Sequence, residues 1–99
     1  MSRPKKERCI RCQPNVLYFK PRGIPLIHLE EVGLSLDELE AIRLADYEGL
    51  YHEQAAEKMK ISRPTFGRIL GEARRKLAET LVEGKALRIE TKLKMEVKV

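Results

Sequence analysis

Cysteines, long apolar runs and phosphate-binding loops are scarce or missing in this 99-residue sequence. Cys9 and Cys12 are the only cysteines, and no segment has the basic, apolar and small-residue order of a signal peptide. A cytoplasmic chain with reduced thiols is therefore expected. No apolar run approaches the ~20 residues of a membrane span, so a membrane is not an expected partner. There is no glycine-rich phosphate loop. His28 and His52 have no serine or cysteine partner in a nucleophile context, and the acids Glu38, Glu40, Asp46 and Glu48 lie in a segment patterned as an amphipathic helix. Catalysis finds little support in such a chain, which is also too short for most architectures with a separate substrate domain.

What is present is charge, unevenly placed. Apolar residues make up 42% and charged residues 35%, the balance of a folded helical protein with a charged surface. The net charge of +5 divides into +6 over residues 1–28, −8 over 29–57, +4 over 58–84 and +3 over 85–99. An acidic middle between basic flanks suggests one face for a polyanion and another turned away from it.

The chain reads as four segments. Residues 1–8 are a flexible basic arm. Residues 9–34 form a strand-and-loop segment, with a short strand around 15–20; Pro14, Pro21 and Pro25 exclude helix there. Residues 35–84 are helical. Ser35 stands three residues before Glu38, the pattern of a capping box, and Gly49 closes the helix that follows. A second helix covers 51–59, and Lys60, Ile61 and Ser62 connect it to a third over about 63–82. There Ser62 is the N-cap, Pro64 sits in the first turn, and Phe66, Ile69, Leu70, Ala73, Leu77 and Leu81 form the expected buried stripe. From Ala86 the apolar period changes from helical to two, which predicts a C-terminal strand over 85–99 that pairs with the 15–20 strand or with a second subunit. The expected fold is mainly α: a helix-turn-helix domain with a small β element formed by N- and C-terminal strands, and a homodimer.

Two short helices joined by a tight turn describe a helix-turn-helix, whose second helix enters the major groove of duplex DNA N-terminus first. Ser62, Arg63, Thr65 and Arg68 stand at that leading end, where arginine suits a bidentate contact with guanine. Arg74, Arg75 and Lys76, farther along, are candidates for phosphate contacts. Gly67 and Gly71 each cost about 1 kcal/mol in a helix interior relative to alanine. Either a close approach of the helix to DNA or close packing against another helix would offset that.

The stretch from Leu36 to Leu77 resembles the fourth region of primary sigma factors. The segments FKPRGIPL, LDELEAIRLADYEGL, EQAAEKM, SRPTFGRIL and VEGKAL together resemble a family of small DNA-binding proteins catalogued as domain of unknown function 134. The resemblance spans roughly residues 3–90 and implies a prokaryotic protein with a sigma-like helix-turn-helix, acting in transcription regulation on DNA, with RNA polymerase as a further partner for the acidic helix. Lys60 departs from the pattern, because the turn position it occupies often holds glycine. Cys9 and Cys12 have the C-x-x-C spacing of two zinc ligands, with His28 and His52 as the only further candidates in the chain, unless two chains contribute a pair each. A metal-responsive or protein-interaction module built on the Cys9/Cys12 pair and the acidic helix is thus the alternative function.

Overall fold

The computed structural model describes residues 8–91. The basic arm up to residue 7 and residues 92–99 of the expected C-terminal strand lie outside the described residues. Three α-helices, α1 (Leu36–Ile42), α2 (His52–Met59) and α3 (Arg63–Glu83), pack with three short strands, β1 (Tyr18–Phe19), β2 (Glu31–Leu34) and β3 (Ala86–Ile89). The fold is mainly α with a small β element.

The helix starts follow from local chemistry. Ser35 Oγ accepts the Glu38 amide at 3.3 Å while Glu38 Oε1 accepts the Ser35 amide at 3.0 Å, so two otherwise orphaned donors are satisfied reciprocally. Ser62 Oγ accepts the Thr65 amide at 3.2 Å and Pro64 fills the first turn of α3, where its missing donor has no consequence. Gly84 ends α3 in the left-handed conformation.

One helix differs from expectation. The segment expected to run unbroken to Gly49 is α-helical only to Ile42, then widens into a π-helical turn over Arg43–Tyr47, where the Glu48 amide donates to the Arg43 carbonyl at 2.8 Å. Gly49, at φ +75°, then lets the chain leave for α2.

Lys60, between α2 and α3, is the only non-glycine residue with positive φ among the described residues, at 58°. Its Cβ crowds the carbonyl in this region, so Lys60→Gly is expected to raise stability by about 0.5–1 kcal/mol. Urea denaturation of the two proteins reads this directly, and an unchanged midpoint would mean that the turn carries no strain.

Strand order in the sheet is β1-β3-β2. β3 pairs antiparallel with β1 (Tyr18 opposite Arg88, Phe19 opposite Leu87) and parallel with β2 (Glu31 opposite Ala86, Leu34 opposite Ile89). Pairing of the two terminal strands is one of the two arrangements the sequence allowed, with β1 shortened to Tyr18–Phe19; β2 was not expected, being four residues long with a glycine in its middle. Two cores result. Ala41, Leu44, Ala55, Ala56, Met59, Phe66, Ile69 and Leu70 hold the three helices together, and Val32, Leu34, Ala73 and Leu87 seal the sheet against α3. Leu81, expected in the buried stripe, is instead 81% exposed, because α3 runs beyond the helices that cover its earlier turns.

Candidate nucleic-acid interface

α2, the Lys60-Ile61-Ser62 connection and α3 form the helix-turn-helix. With Phe66, Ile69 and Leu70 buried against α1 and α2 and Ala73 against the sheet, the helical period turns Pro64, Arg68, Gly71 and Arg75 outward. Arg63 and Arg68 are both exposed, as they must be to reach a ligand. Ser62 caps the helix and donates to Thr65 Oγ1 at 2.9 Å, so this pair shapes the leading turn. A shallow depression lined by Leu50, Tyr51, His52, Glu53 and Arg63 lies between the starts of α2 and α3.

The two helical glycines discriminate between the explanations offered for them. A Cβ built at Gly67 or at Gly71 would meet nothing within 4 Å among the described residues, so neither is reserved for close packing against α1 or α2. The outward side of α3 is left bare.

Pairing of charges separates the candidate cations. Arg74 reaches across to the π-turn, with Nη2 2.6 Å from Asp46 Oδ1. Arg75 lies between Glu72 and Glu79 of its own helix, at 2.7 and 3.1 Å. Lys76 turns toward α1, its ammonium 2.8 Å from Glu38 and only 22% exposed, and so is not brought to the face that carries Arg68. Asp37 pairs with Arg8, while Arg43 serves both Glu40 and Glu48. The acidic block of the sequence is therefore largely neutralised inside the fold. Among the described residues, Arg11, Lys20, Arg22, Lys58, Lys60, Arg63 and Arg68 have no ion-pair partner, and four of these seven, Lys58, Lys60, Arg63 and Arg68, sit on the helix-turn-helix. Lys58 and Lys60 were not picked out from sequence, since only the folded pairing pattern distinguishes a free lysine from a bridged one.

The cysteine loop docks beside this unit. The Cys9 amide donates to the Met59 carbonyl at the end of α2, at 3.0 Å. The amides of Arg11 and Cys12 both donate to the carboxylate of Glu40, at 3.1 and 3.2 Å, and Arg43 grips the same carboxylate through two nitrogens at 2.9 Å. Burial alone would raise the Glu40 carboxyl, but the Arg43 guanidinium and these amides hold it down at about 2. Burial, with the Glu40 carboxylate beside it, pushes the Cys12 thiol up to about 11, so it is a neutral group. Both thiols are free and half-buried, and among the described residues no three His, Cys, Asp or Glu side chains gather in a way that could hold a metal ion. No helix among the described residues is long and apolar enough to cross a membrane.

A family model described as Protein of unknown function DUF134 matches residues 1–94. A UPF0251 protein of Caldanaerobacter subterraneus subsp. tengcongensis is 61% identical over 90 residues, which cover 91% of this chain and 76% of that protein. A UPF0251 protein of Thermoanaerobacter pseudethanolicus is 58% identical with the same coverage, and one of Desulfosudis oleivorans is 57% identical, with 65% of its length covered. No solved structure matches this chain.

Proposed function

This chain belongs to the DUF134 family, and from that premise we propose that it is a sequence-specific binder of duplex DNA, a transcriptional regulator that acts as a homodimer rather than as an enzyme. The observation that carries the proposal is where unpaired positive charge concentrates once internal ion pairs are counted: of the seven unpaired cations among the described residues, four, Lys58, Lys60, Arg63 and Arg68, lie on the helix-turn-helix. A polyanion is the partner that such a surface fits. In this proposal Arg63 and Arg68 meet base edges at the leading end of α3. Ser62 and Thr65 set that end's geometry, and Lys58 and Lys60 neutralise phosphates. Arg74 and Arg75 reach phosphates only by exchanging their present carboxylate partners, and Lys76 holds α3 to α1.

Binding should be steeply salt-dependent. Neutralising about two phosphates per protomer, hence about four per homodimer, gives a slope of log K against log salt of about −3.6 for the dimer. Against a sequence selected from genomic fragments, Arg68→Ala should weaken binding roughly 10- to 100-fold while leaving weak binding to random duplex nearly unchanged, the signature of a lost base contact. A titration at low salt that shows no binding to any genomic pool would overturn the proposal.

A further inference from the structure

One end of the molecule carries large apolar side chains that no described residue covers, interspersed with Lys20, Arg22, Glu30 and Glu83. β1 finishes there and β2 and β3 begin there, because Phe19 lies opposite Leu87 and Glu31 lies opposite Ala86. Since β3 is the middle strand, the connection from β1 to β2 has to cross the start of β3, and so passes the junction where α3 turns through Gly84 into the sheet. That crossing connection carries a 3-10 turn, Leu26–His28, with no buried residue. Ile27 is 85% exposed, and Leu26 and Phe19 are more than half exposed. The last turns of α3 add Leu81 and Val82 at 81% and 82%.

These side chains are not random surface leucines and valines. At roughly 150–200 Å² for a whole side chain of this size, Phe19, Ile24, Leu26, Ile27, Leu81 and Val82 together leave roughly 700 Å² of apolar area in water, more than the largest patch usual on a monomer. That is close to the ~800 Å² that each partner contributes to a standard-size interface. The sheet adds to the case. Phe19 shares the inner face with Leu87, yet α3 covers β2 and β3 and leaves β1 projecting beyond it. The helix-turn-helix turn is at the opposite end of the 21-residue α3, about 30 Å away.

We infer that this end, made by the last turn of α3, the end of β1 and the connection through Leu26–His28, is the surface on which a second copy of the chain docks. An apolar patch is complementary to its own copy about a two-fold axis, and the charged side chains among it, Lys20 and Arg22 against Glu30 and Glu83, are of both signs, so they do not repel a second copy as a patch of one sign would. Pairing through this end leaves both helix-turn-helix units free and pointing away from the contact. The inference names the contact for the homodimer in the proposed function, but stands on the exposed side chains and not on DNA.

The test is the molar mass of the 99-residue chain in light scattering after size exclusion at tens of micromolar. Wild type is expected at twice 11.4 kDa. Ile27→Asp and Val82→Asp change side chains already exposed in one chain, so thermal melting monitored by circular dichroism should show that each variant still folds, while each weakens dimerisation at least 100-fold. Tyr47→Asp, at an equally exposed position (84%) in the π-turn, should leave the dimer intact. A monomeric wild type, or dimers that survive both aspartates, would overturn the inference. A folded monomeric variant that still binds a single half-site duplex separates this contact from the DNA proposal. A dimer that binds no DNA would count against the latter alone.

Discussion

Glu40→Ala should cost about 3–5 kcal/mol of folding free energy, most of what a domain of this size has to lose. The residue is 1% exposed, yet it is charged, and its charge is used by three partners at once. Arg43 donates two hydrogen bonds to it, and the amides of Arg11 and Cys12 donate one each. Removing the carboxylate leaves a guanidinium only 27% exposed without its main counter-charge and two amides unsatisfied, and detaches the cysteine loop from α1. Glu48, 43% exposed, shares Arg43, and its loss should cost under about 1 kcal/mol. Urea denaturation of the two variants gives the contrast; equal effects would mean that Glu40 is no hub. The same carboxylate sets an acid dependence. Its folded pKa of about 2 lies below the ordinary value of 4.5. Its contribution is therefore complete above about pH 4.5 and is lost as the pH falls toward 2, amounting to about 3 kcal/mol over that window. Glu40→Gln should flatten this part of the stability profile, and a profile that stays as steep in the variant would assign the acid sensitivity elsewhere.

Gly71→Leu should move stability and DNA binding in opposite directions. Alanine or leucine at an open interior helix position is favoured over glycine by about 0.5–1 kcal/mol, and none of the described residues obstructs a side chain at Gly71. The melting temperature should therefore rise by several degrees. In the proposed complex the same leucine stands between α3 and the groove, and binding to the selected duplex should fall at least 100-fold. Gly67→Leu, one turn closer to the leading end, should behave alike. If both variants are more stable and bind duplex as wild type does, the bare face of α3 is not the reading surface, whatever the fate of Arg68→Ala.

Much of this molecule is decided within a few residues of chain. The caps at Ser35 and Ser62, the stop at Gly84 and the stripe through Phe66, Leu70 and Ala73 depend on backbone donors, left-handed tolerance and the 3.6-residue period, all of which are local and could be read directly. The unusual backbone at Lys60 was legible for the same reason. Other features depend on partners distant in sequence. β2 is a strand only because β3 returns beside it 55 residues later, and its own composition carries almost no signal. The end of the α-helix at Ile42 and the π-turn after it depend on packing of Leu44 against α2 and α3. Leu81 fits the helical period but lies beyond the layer that would bury it.

The charges show the division most clearly. As a sequence, the −8 block looked like a face of its own and suggested an acidic docking surface for a polymerase. In the fold, Glu38 meets Lys76, Asp46 meets Arg74, and Glu40 is enclosed by Arg43 and the cysteine loop. Sequence by itself determined where the three α-helices start and that two of them, joined by a tight turn, make a helix-turn-helix. Tertiary structure alone decided which charges cancel and, among the described residues, which cations remain free and which apolar side chains stay uncovered. The reason is physical: capping and periodicity act over a single turn, whereas Coulombic pairing and burial depend on distances that exist only after the chain has closed on itself.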